Sequence, residues 1–241
     1  MVPSYPRHPT ALAQQALTAN LACDGRFTLG LGLSHKMVIE DMMGLSYAKP
    51  ASHMREYLEV LVPLLKGEAV AYAGEEYQVA YKLALEESAA PSLVVAALGP
   101  RMLKIAGELS DGTTTWMVGP KTLREHIIPR ISESAAAVGK PAPRIVAGLP
   151  IALTNNVEAA KKQINNDLQI YGQLPSYRAM LDREGAANPA DIAIIGDEAH
   201  LKQQLDTFKA LGVTDFNAAV IGVEPGAYKS TMDFLAAYKN S

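Results

Sequence analysis

A Gly-Pro-Arg turn is the first stretch of the sequence whose residue types and spacing point to chemistry. Gly99, Pro100 and Arg101 follow an apolar run from Leu93 to Leu98 and precede a helical pattern. Free N–H groups and the dipole at the start of a helix favour an anion, glycine lets it approach, and a guanidinium adds a contact to phosphate. An ordinary strand-to-helix turn is the alternative interpretation, because Gly-Pro also suits such a turn. The sequence contains neither GxGxxG nor GxxxxGK[ST].

A second set of candidate residues lies at the end of a predicted strand over residues 26–33. Gly30 and Gly32 lie within this strand, and Ser34 and His35 follow it directly. Glycine in a strand often marks the close approach of a ligand or another backbone. A hydroxyl and an imidazole at the carboxyl end of a strand lie where barrel enzymes carry out chemistry. Glycines fitted to tight packing beside an exposed histidine are the alternative.

Other catalytic classes lack their residue patterns in this sequence. Cys23 is the only cysteine and has no neighbouring histidine, so we expect an inert thiol. There is no HExxH spacing for a metal ion and no G-x-S-x-G nucleophile elbow. The polar segment from Tyr171 to Arg178 is expected either to line a substrate pocket or to end a helix.

The elements that position the candidate residues follow the pattern of an α/β protein. Apolar strand runs alternate with helical periods, which indicates parallel strands covered on both faces. A doubly wound sheet and a (β/α)8 barrel both satisfy this pattern. The predicted parallel strands are a remnant at Met1–Tyr5 and the runs 26–33, 92–98, 112–118, 144–153 and 213–222. The predicted helices are 9–23, 51–66 with Ser52 as N-cap, 100–110, 120–138, 157–174, 197–211 and 227–238, with a hairpin at 68–79.

Composition limits the function classes further. The 241 residues are 49% apolar and 20% charged, which is enough to bury a sizeable core, and no linker divides them, so a single domain over 1–241 is expected. The net charge of −3 gives no field that favours nucleic acid or an anionic membrane. No apolar run is long enough to span a membrane, and the lone cysteine without a signal-peptide pattern predicts a cytoplasmic protein.

Five stretches, in this order, resemble luciferase-like flavin-type monooxygenases, and more narrowly the branch of F420-dependent oxidoreductases. They are PSYPRHPTALAQQALTA, GRFTLGLGLSHK, HMREYLEVLVPLLKGE, AALGPRMLKIAGELSDGTTTWM and YGQLPSYRAMLDREG. The resemblance implies a TIM barrel of the bacterial luciferase type. It also implies that reduced coenzyme F420, with FMN as the alternative, binds at the carboxyl ends of the strands, commonly in a homodimer. The implied activity is hydride transfer between the deazaflavin and a small organic substrate.

The same resemblance assigns the phosphate anchor of the cofactor. The turn that cradles this phosphate in the family matches Gly99, Pro100, Arg101 and Met102. Because the polyglutamyl tail of F420 is acidic, a basic strip is expected near the anchor, and Arg101 and Lys121 are its candidates.

The resemblance also assigns the residues near the ring of the cofactor. Gly32, Ser34 and His35 match the strand end beside the ring. Trp116 and Met117 match the next strand end, which lines the same cavity in the family.

The start of the sequence departs from the family pattern. Val2 to Tyr5 match the end of the third strand, so the barrel is expected to lack its first two strands and most of the third. Those strands carry ring-facing and acid/base residues in the family, so the resemblance leaves His35 as the best remaining candidate proton donor. A non-catalytic partial barrel that binds flavin, or that acts as a dimeric interaction protein, is therefore the alternative to an active oxidoreductase.

Overall fold

The computed structural model describes residues 1–84 and 89–239, and the chain divides into two compact units. The first unit comprises Met1–Thr113 and Arg130–Pro143, and the second comprises Thr114–Pro129 and Arg144–Ser241. Both units contain parallel strands joined by helices, as the alternating sequence pattern predicts.

The helices and strands are numbered in chain order. The strands are β1 (Val2–Pro3), β2 (Thr28–Gly32), β3 (Val70–Ala73), β4 (Gln78–Tyr81), β5 (Ser92–Ala96), β6 (Gly112–Trp116), β7 (Arg144–Leu153), β8 (Ile194–Gly196) and β9 (Asp215–Val220). The α-helices are α1 (Pro9–Ala22), α2 (Pro50–Leu65), α3 (Pro100–Leu109), α4 (Pro120–Thr122), α5 (Ile128–Ala137), α6 (Val157–Asp167), α7 (Gln169–Gln173), α8 (Pro175–Glu184), α9 (Glu198–Ala210) and α10 (Ala227–Lys239). Two π-helices, Met37–Met42 and Leu123–Ile127, and a 3₁₀ turn at Pro189–Ile192 complete the described elements.

Parallel pairing organises the sheet of the first unit. β2 pairs with β1 on one side and with β5 on the other, with Leu31 opposite Val2 and Leu29 opposite Leu93. Leu29, Leu31 and Val95 are almost fully buried, as expected for a parallel sheet covered by helices. Because both pairings are parallel, the carboxyl ends of the three strands lie at one edge of the sheet.

Helix α2 buries the longest apolar stripe of the first unit and packs on α1 and α3. The stripe repeats at intervals of three and four residues and consists of Met54, Tyr57, Leu58, Leu61, Leu64 and Leu65. The prediction of Ser52 as N-cap is wrong, because the helix already starts at Pro50 after Lys49 in a left-handed conformation. The fixed φ of proline suits the first helical position, so the helix begins at Pro50 and its N-cap, Lys49, lies three residues before Ser52.

The predicted hairpin is present as the antiparallel pair of β3 and β4. Its turn is fastened to α2 by Glu56, whose carboxylate accepts hydrogen bonds from the backbone N–H groups of Glu75, Glu76 and Tyr77 at 3.1, 2.8 and 3.2 Å. A side chain at Gly74 would collide with this carboxylate. Glycine is therefore required here by the close approach of Glu56.

In the second unit, β7 pairs in parallel with both β8 and β9. Gly148 on β7 makes room for a large ring, since a Cβ there would lie 3.0 Å from Cε3 of Trp116. The strand-to-helix order matches the sequence pattern, and the predicted strand at 144–153 has these bounds in the structure.

Two predicted helices are interrupted. The helix predicted at 120–138 contains the π-helix Leu123–Ile127, and the helix predicted at 157–174 ends at Asp167 before a separate α7. Asn165, near that break, accepts a hydrogen bond from the backbone N–H of Ala190 at 3.0 Å. Residues such as asparagine and aspartate favour helix ends because their side chains compete for backbone groups. None of the helices in residues 1–84 and 89–239 is long and apolar enough to cross a membrane.

The packing of α3 gives a test of the first unit. A Cβ at Gly107 would lie 2.6 Å from the carbonyl oxygen of Ile131 and 3.0 Å from the amide nitrogen of Ala135. Gly107→Ala is therefore expected to lower the free energy of unfolding by roughly 1–3 kcal/mol, although alanine favours helices over glycine. Urea denaturation measures this loss.

Gly172→Ala in α7 is the matched control. Its Cβ would lie 3.5 Å from Cδ of Pro189, which is an ordinary contact, so no loss of stability is expected. Equal stability of the Gly107 variant and the wild type would contradict the packing described for α3.

Candidate functional site

The parallel sheet of the first unit brings two of the predicted site segments to one edge. Gly32 is the last residue of β2, and its carbonyl accepts a hydrogen bond from the N–H of Ser4 at 2.9 Å. A Cβ at Gly32 would lie 3.3 Å from the Cβ of Ala96, the last residue of β5. Gly99 comes three residues after Ala96, so the glycine-rich strand end and the Gly-Pro turn lie at the same edge.

The turn after β5 presents an open helix N-terminus. Gly99 is the N-cap of α3 with φ −81° and ψ 156°, and Pro100 takes the first helical position. The N–H groups of Arg101 and Met102 have no acceptor within the helix, because they belong to its first turn. A Cβ at Gly99 would meet no atom within 4 Å, and the Arg101 side chain is exposed. The turn therefore leaves space and positive charge beside free backbone donors.

At four other helices, a side chain of the chain itself caps the N-terminus. A side chain accepts hydrogen bonds from first-turn N–H groups in α1, α4, α6 and α9; the four side chains are His8, Glu184, Asn156 and Asp197. Within the described residues, α3 has no such side-chain cap. The anion-binding capacity of a helix N-terminus is thus left open after β5.

The segment after β2 places Ser34 and His35 in a constrained backbone. Ser34 has φ +60°, in the left-handed region that residues with a Cβ seldom adopt. The Tyr47 hydroxyl donates a hydrogen bond to the Ser34 carbonyl at 3.2 Å. His35 is half-buried, and desolvation by burial lowers the pKa of its imidazole below the ordinary value. The neutral imidazole is consequently the dominant form of His35 at pH 7.

An aromatic and polar cluster beside this strand end was missed by sequence reasoning. The ring of His53 is 4% exposed, stacks on the Tyr5 ring with centroids 3.9 Å apart, and has Nε2 3.0 Å from the Ser4 hydroxyl. Tyr57 and Tyr77 pack around His53. His53 and Tyr57 lie one helical turn apart, and this spacing could have indicated that the two side chains share one face of a helix. Tyr5 and Tyr77 join the cluster through tertiary contacts, which no local sequence pattern shows.

The second unit holds Trp116 and part of the polar segment singled out in the sequence. Trp116 ends β6, and its ring lies 6.1 Å from that of Tyr171, which in turn lies 5.0 Å from Tyr177, both in edge-to-face geometry. The indole N–H of Trp116 is buried and has no acceptor among the described residues. Tyr171 and Tyr177 lie in α7 and α8, so the segment is helical and contributes two rings to an aromatic row.

The second unit also contains a cavity of about 420 Å³ at the carboxyl ends of β7 and β8. It is lined by Asp197, Glu198 and Glu224, with no lysine or arginine among its described lining residues. The Thr154 hydroxyl, also in the lining, donates to Glu224 at 2.9 Å. Carboxylates repel phosphate, so this cavity is unsuited to an anion. No three His, Cys, Asp or Glu side chains in the described ranges are grouped to hold a metal ion.

A sequence model of the luciferase-like monooxygenase family matches residues 1–229 of the chain. The chain belongs to this family. Its relatives in the family include a 5,10-methylenetetrahydromethanopterin reductase of Archaeoglobus fulgidus, which is 35% identical over 137 residues that cover 56% of this chain. The chain spans 40% of the length of that reductase. A putative coenzyme F420-dependent oxidoreductase of Mycobacterium tuberculosis is 26% identical, over 86% of this chain and 74% of its own length.

A solved structure shares the fold of this chain. An F420-dependent secondary alcohol dehydrogenase in complex with an F420-acetone adduct superposes with a TM-score of 0.78 at 18% identity, over 99% of this chain and 77% of that one. The α/β fold with parallel strands predicted from the sequence is thereby confirmed as that of luciferase-like proteins.

The buried His53 predicts a specific pH dependence of stability. Desolvation lowers the pKa of His53 to about 4 in the folded chain, whereas an exposed histidine in the unfolded chain has a pKa of about 6.5. The unfolded state binds more protons between these values, so stability is full above pH 6.5 and falls as the pH drops toward 4. Protonation of His53 is expected to lower the free energy of unfolding by roughly 2–3 kcal/mol between pH 7 and pH 4.

His53→Gln removes the titration and keeps a polar partner for Ser4. The free energy of unfolding, measured from pH 7 to pH 4 for both proteins, is expected to fall more steeply in the wild type. Parallel curves for the two proteins would show that His53 is not held in its neutral form by burial.

Proposed function

We propose that this chain is an F420-dependent oxidoreductase that transfers a hydride between the deazaflavin and a small organic substrate. The observation that carries the proposal is the uncapped N-terminus of α3, with Gly99 leaving open space beside it and Arg101 exposed next to it. F420-dependent relatives across the family support it. FMN is the second candidate cofactor, because it also carries a phosphate that fits the same turn.

The residues present fit the phosphate of such a cofactor. The N–H groups of Arg101 and Met102 point out of the first turn of α3, where the helix dipole adds positive potential. The Arg101 guanidinium adds a charge-assisted donor. Gly99 has φ −81° and open space at its Cβ position, so neither its own backbone nor its neighbours require glycine. Its lack of a side chain instead suits close approach by a ligand.

Gly32, Ser34 and His35 lie at the same edge of the sheet, which supports their proposed place beside the ring of the cofactor. The reduced deazaflavin supplies the hydride when it is bound. The chain contributes orientation and a proton, and His35 is the proposed group that exchanges this proton with the substrate. Because burial lowers the pKa of His35, the neutral imidazole dominates at pH 7 and can accept the proton when the substrate is oxidised, whereas the imidazolium form donates the proton when the substrate is reduced. Binding of the cofactor by Trp116 and formation of a homodimer stay predictions.

A charge-matched pair of variants tests the phosphate anchor. Arg101→Gln removes a charge-assisted donor, and the affinity for F420 is expected to fall by roughly tenfold or more. Lys104→Gln, one turn further along α3, makes the same charge change at a residue that pairs with Glu108 at 3.7 Å. It is expected to leave the affinity almost unchanged. Fluorescence titration of the purified chain with F420, and in parallel with FMN, measures both effects.

The titration also tests the proposal as a whole. Binding of F420 in preference to FMN supports it, and the reverse preference selects FMN as the cofactor. Failure of both ligands to bind below roughly 100 μM would contradict a role as an active oxidoreductase.

A further inference from the structure

We propose that Tyr47 is a positioning residue, which holds the Ser34 carbonyl in place and thereby orients His35. The proposal deepens the function proposed above, since it rests on His35 acting at that site. The hydroxyl of Tyr47 donates to the Ser34 carbonyl oxygen at 3.2 Å, across thirteen residues of chain. The peptide unit between Ser34 and His35 is planar, so fixing its carbonyl also fixes the direction in which the chain enters His35.

The backbone of Ser34 needs such a support. At φ +60° the Cβ of a non-glycine residue lies too close to the following carbonyl oxygen, so Ser34 is less stable here than in a right-handed conformation. Conformations of this kind persist where surrounding contacts over-determine them, and they concentrate at functional sites. The hydrogen bond from Tyr47 is a contact made directly to the strained residue.

Tyr47 is itself held from two sides. Its backbone N–H donates to a carboxylate oxygen of Glu40 at 3.2 Å, and its ring lies 5.2 Å from the Tyr5 ring. Tyr5 in turn stacks on the buried His53. The hydroxyl of Tyr47 is therefore placed by the aromatic cluster at the end of β1, which links that cluster to the strand end of β2.

The segment between Ser34 and Tyr47 folds back on itself. The π-helix Met37–Met42 starts two residues after His35, and the N–H of Ile39 donates a hydrogen bond to the His35 carbonyl at 3.0 Å. The N–H of Leu45 bonds to the Ile39 carbonyl at 2.9 Å. Wide helical turns of this type are frequent at functional sites. The segment thus returns Tyr47 to the strand end from which it departed.

The alternative is that the hydrogen bond merely closes a surface segment and contributes to stability alone. The two roles differ in what Tyr47→Phe changes. This variant keeps the ring and removes only the hydroxyl. If the hydrogen bond only closes the segment, its loss lowers the stability of the fold and changes nothing else. If it positions His35, its loss also changes the environment of the His35 imidazole and the affinity for the cofactor.

Tyr72→Phe is the matched control. The Tyr72 hydroxyl donates to a carboxylate oxygen of Glu59 in the same unit at 2.7 Å, and Tyr72 is half-buried like Tyr47. Both variants lose one hydrogen bond from a tyrosine hydroxyl, so similar decreases in the thermal midpoint are expected. Glu59 lies on α2, and the control alters no contact of Ser34 or His35.

The decisive readouts are the imidazole resonances of His35, followed by NMR through a pH titration, and the dissociation constant for F420. Tyr47→Phe is expected to displace the His35 resonances, to raise the pKa of His35 toward that of an exposed histidine, and to weaken F420 binding at least fivefold. Tyr72→Phe is expected to leave all three values as in the wild type. His35→Ala assigns the resonances.

Two results would overturn the inference: unchanged His35 resonances in Tyr47→Phe, or equal changes in both tyrosine variants. The NMR readout needs no ligand, so it remains decisive if the wild type binds neither F420 nor FMN. That last result would overturn the proposed function but not the link between Tyr47 and His35.

Discussion

Parallel hydrogen bonding between β1, β2 and β5 constrains how the strands of the first unit are connected and where they end. Each strand must be followed by a connection that returns the chain to the opposite edge, and each strand must end at the same edge as its neighbour. The residues that follow the strands are thereby gathered together although they are distant in sequence. Gly32, Ser34 and Gly99 owe their common location to this pairing, and the candidate site depends on it.

The polar backbone groups at strand and helix ends must also be satisfied, and the chain does so mainly with its own carboxylates. Glu56 accepts three N–H groups of the hairpin turn, Asp111 accepts the N–H of Leu93 at 2.8 Å, and Glu184 accepts two N–H groups at the start of α4. An unpaired N–H group is costly where it is buried but inexpensive where water or a ligand can reach it. The uncapped N-terminus of α3 leaves such N–H groups accessible to an anion.

Much of the fold could be predicted from the sequence because its signals are local. The apolar run before Gly99 and the Gly-Pro turn define β5 and α3, and Asp197 caps α9 as its position before the helical pattern indicates. The π-helix after His35 was not predictable, since its wide turns leave no periodic signature in a segment rich in methionine. Tyr5, Tyr47 and His53 also escaped prediction, because their grouping depends on how α2 packs beside the ends of β1 and β2.

The turn after β5 is the proposed binding site for the phosphate of the cofactor. Titration of the ¹⁵N-labelled chain with F420, followed through its amide chemical shifts, tests this assignment residue by residue. The largest changes are expected at the backbone N–H groups of Gly99, Arg101 and Met102, with smaller changes at Ser34 and His35. Saturable binding that leaves these three amides unmoved, with the largest changes elsewhere in the chain, would contradict it.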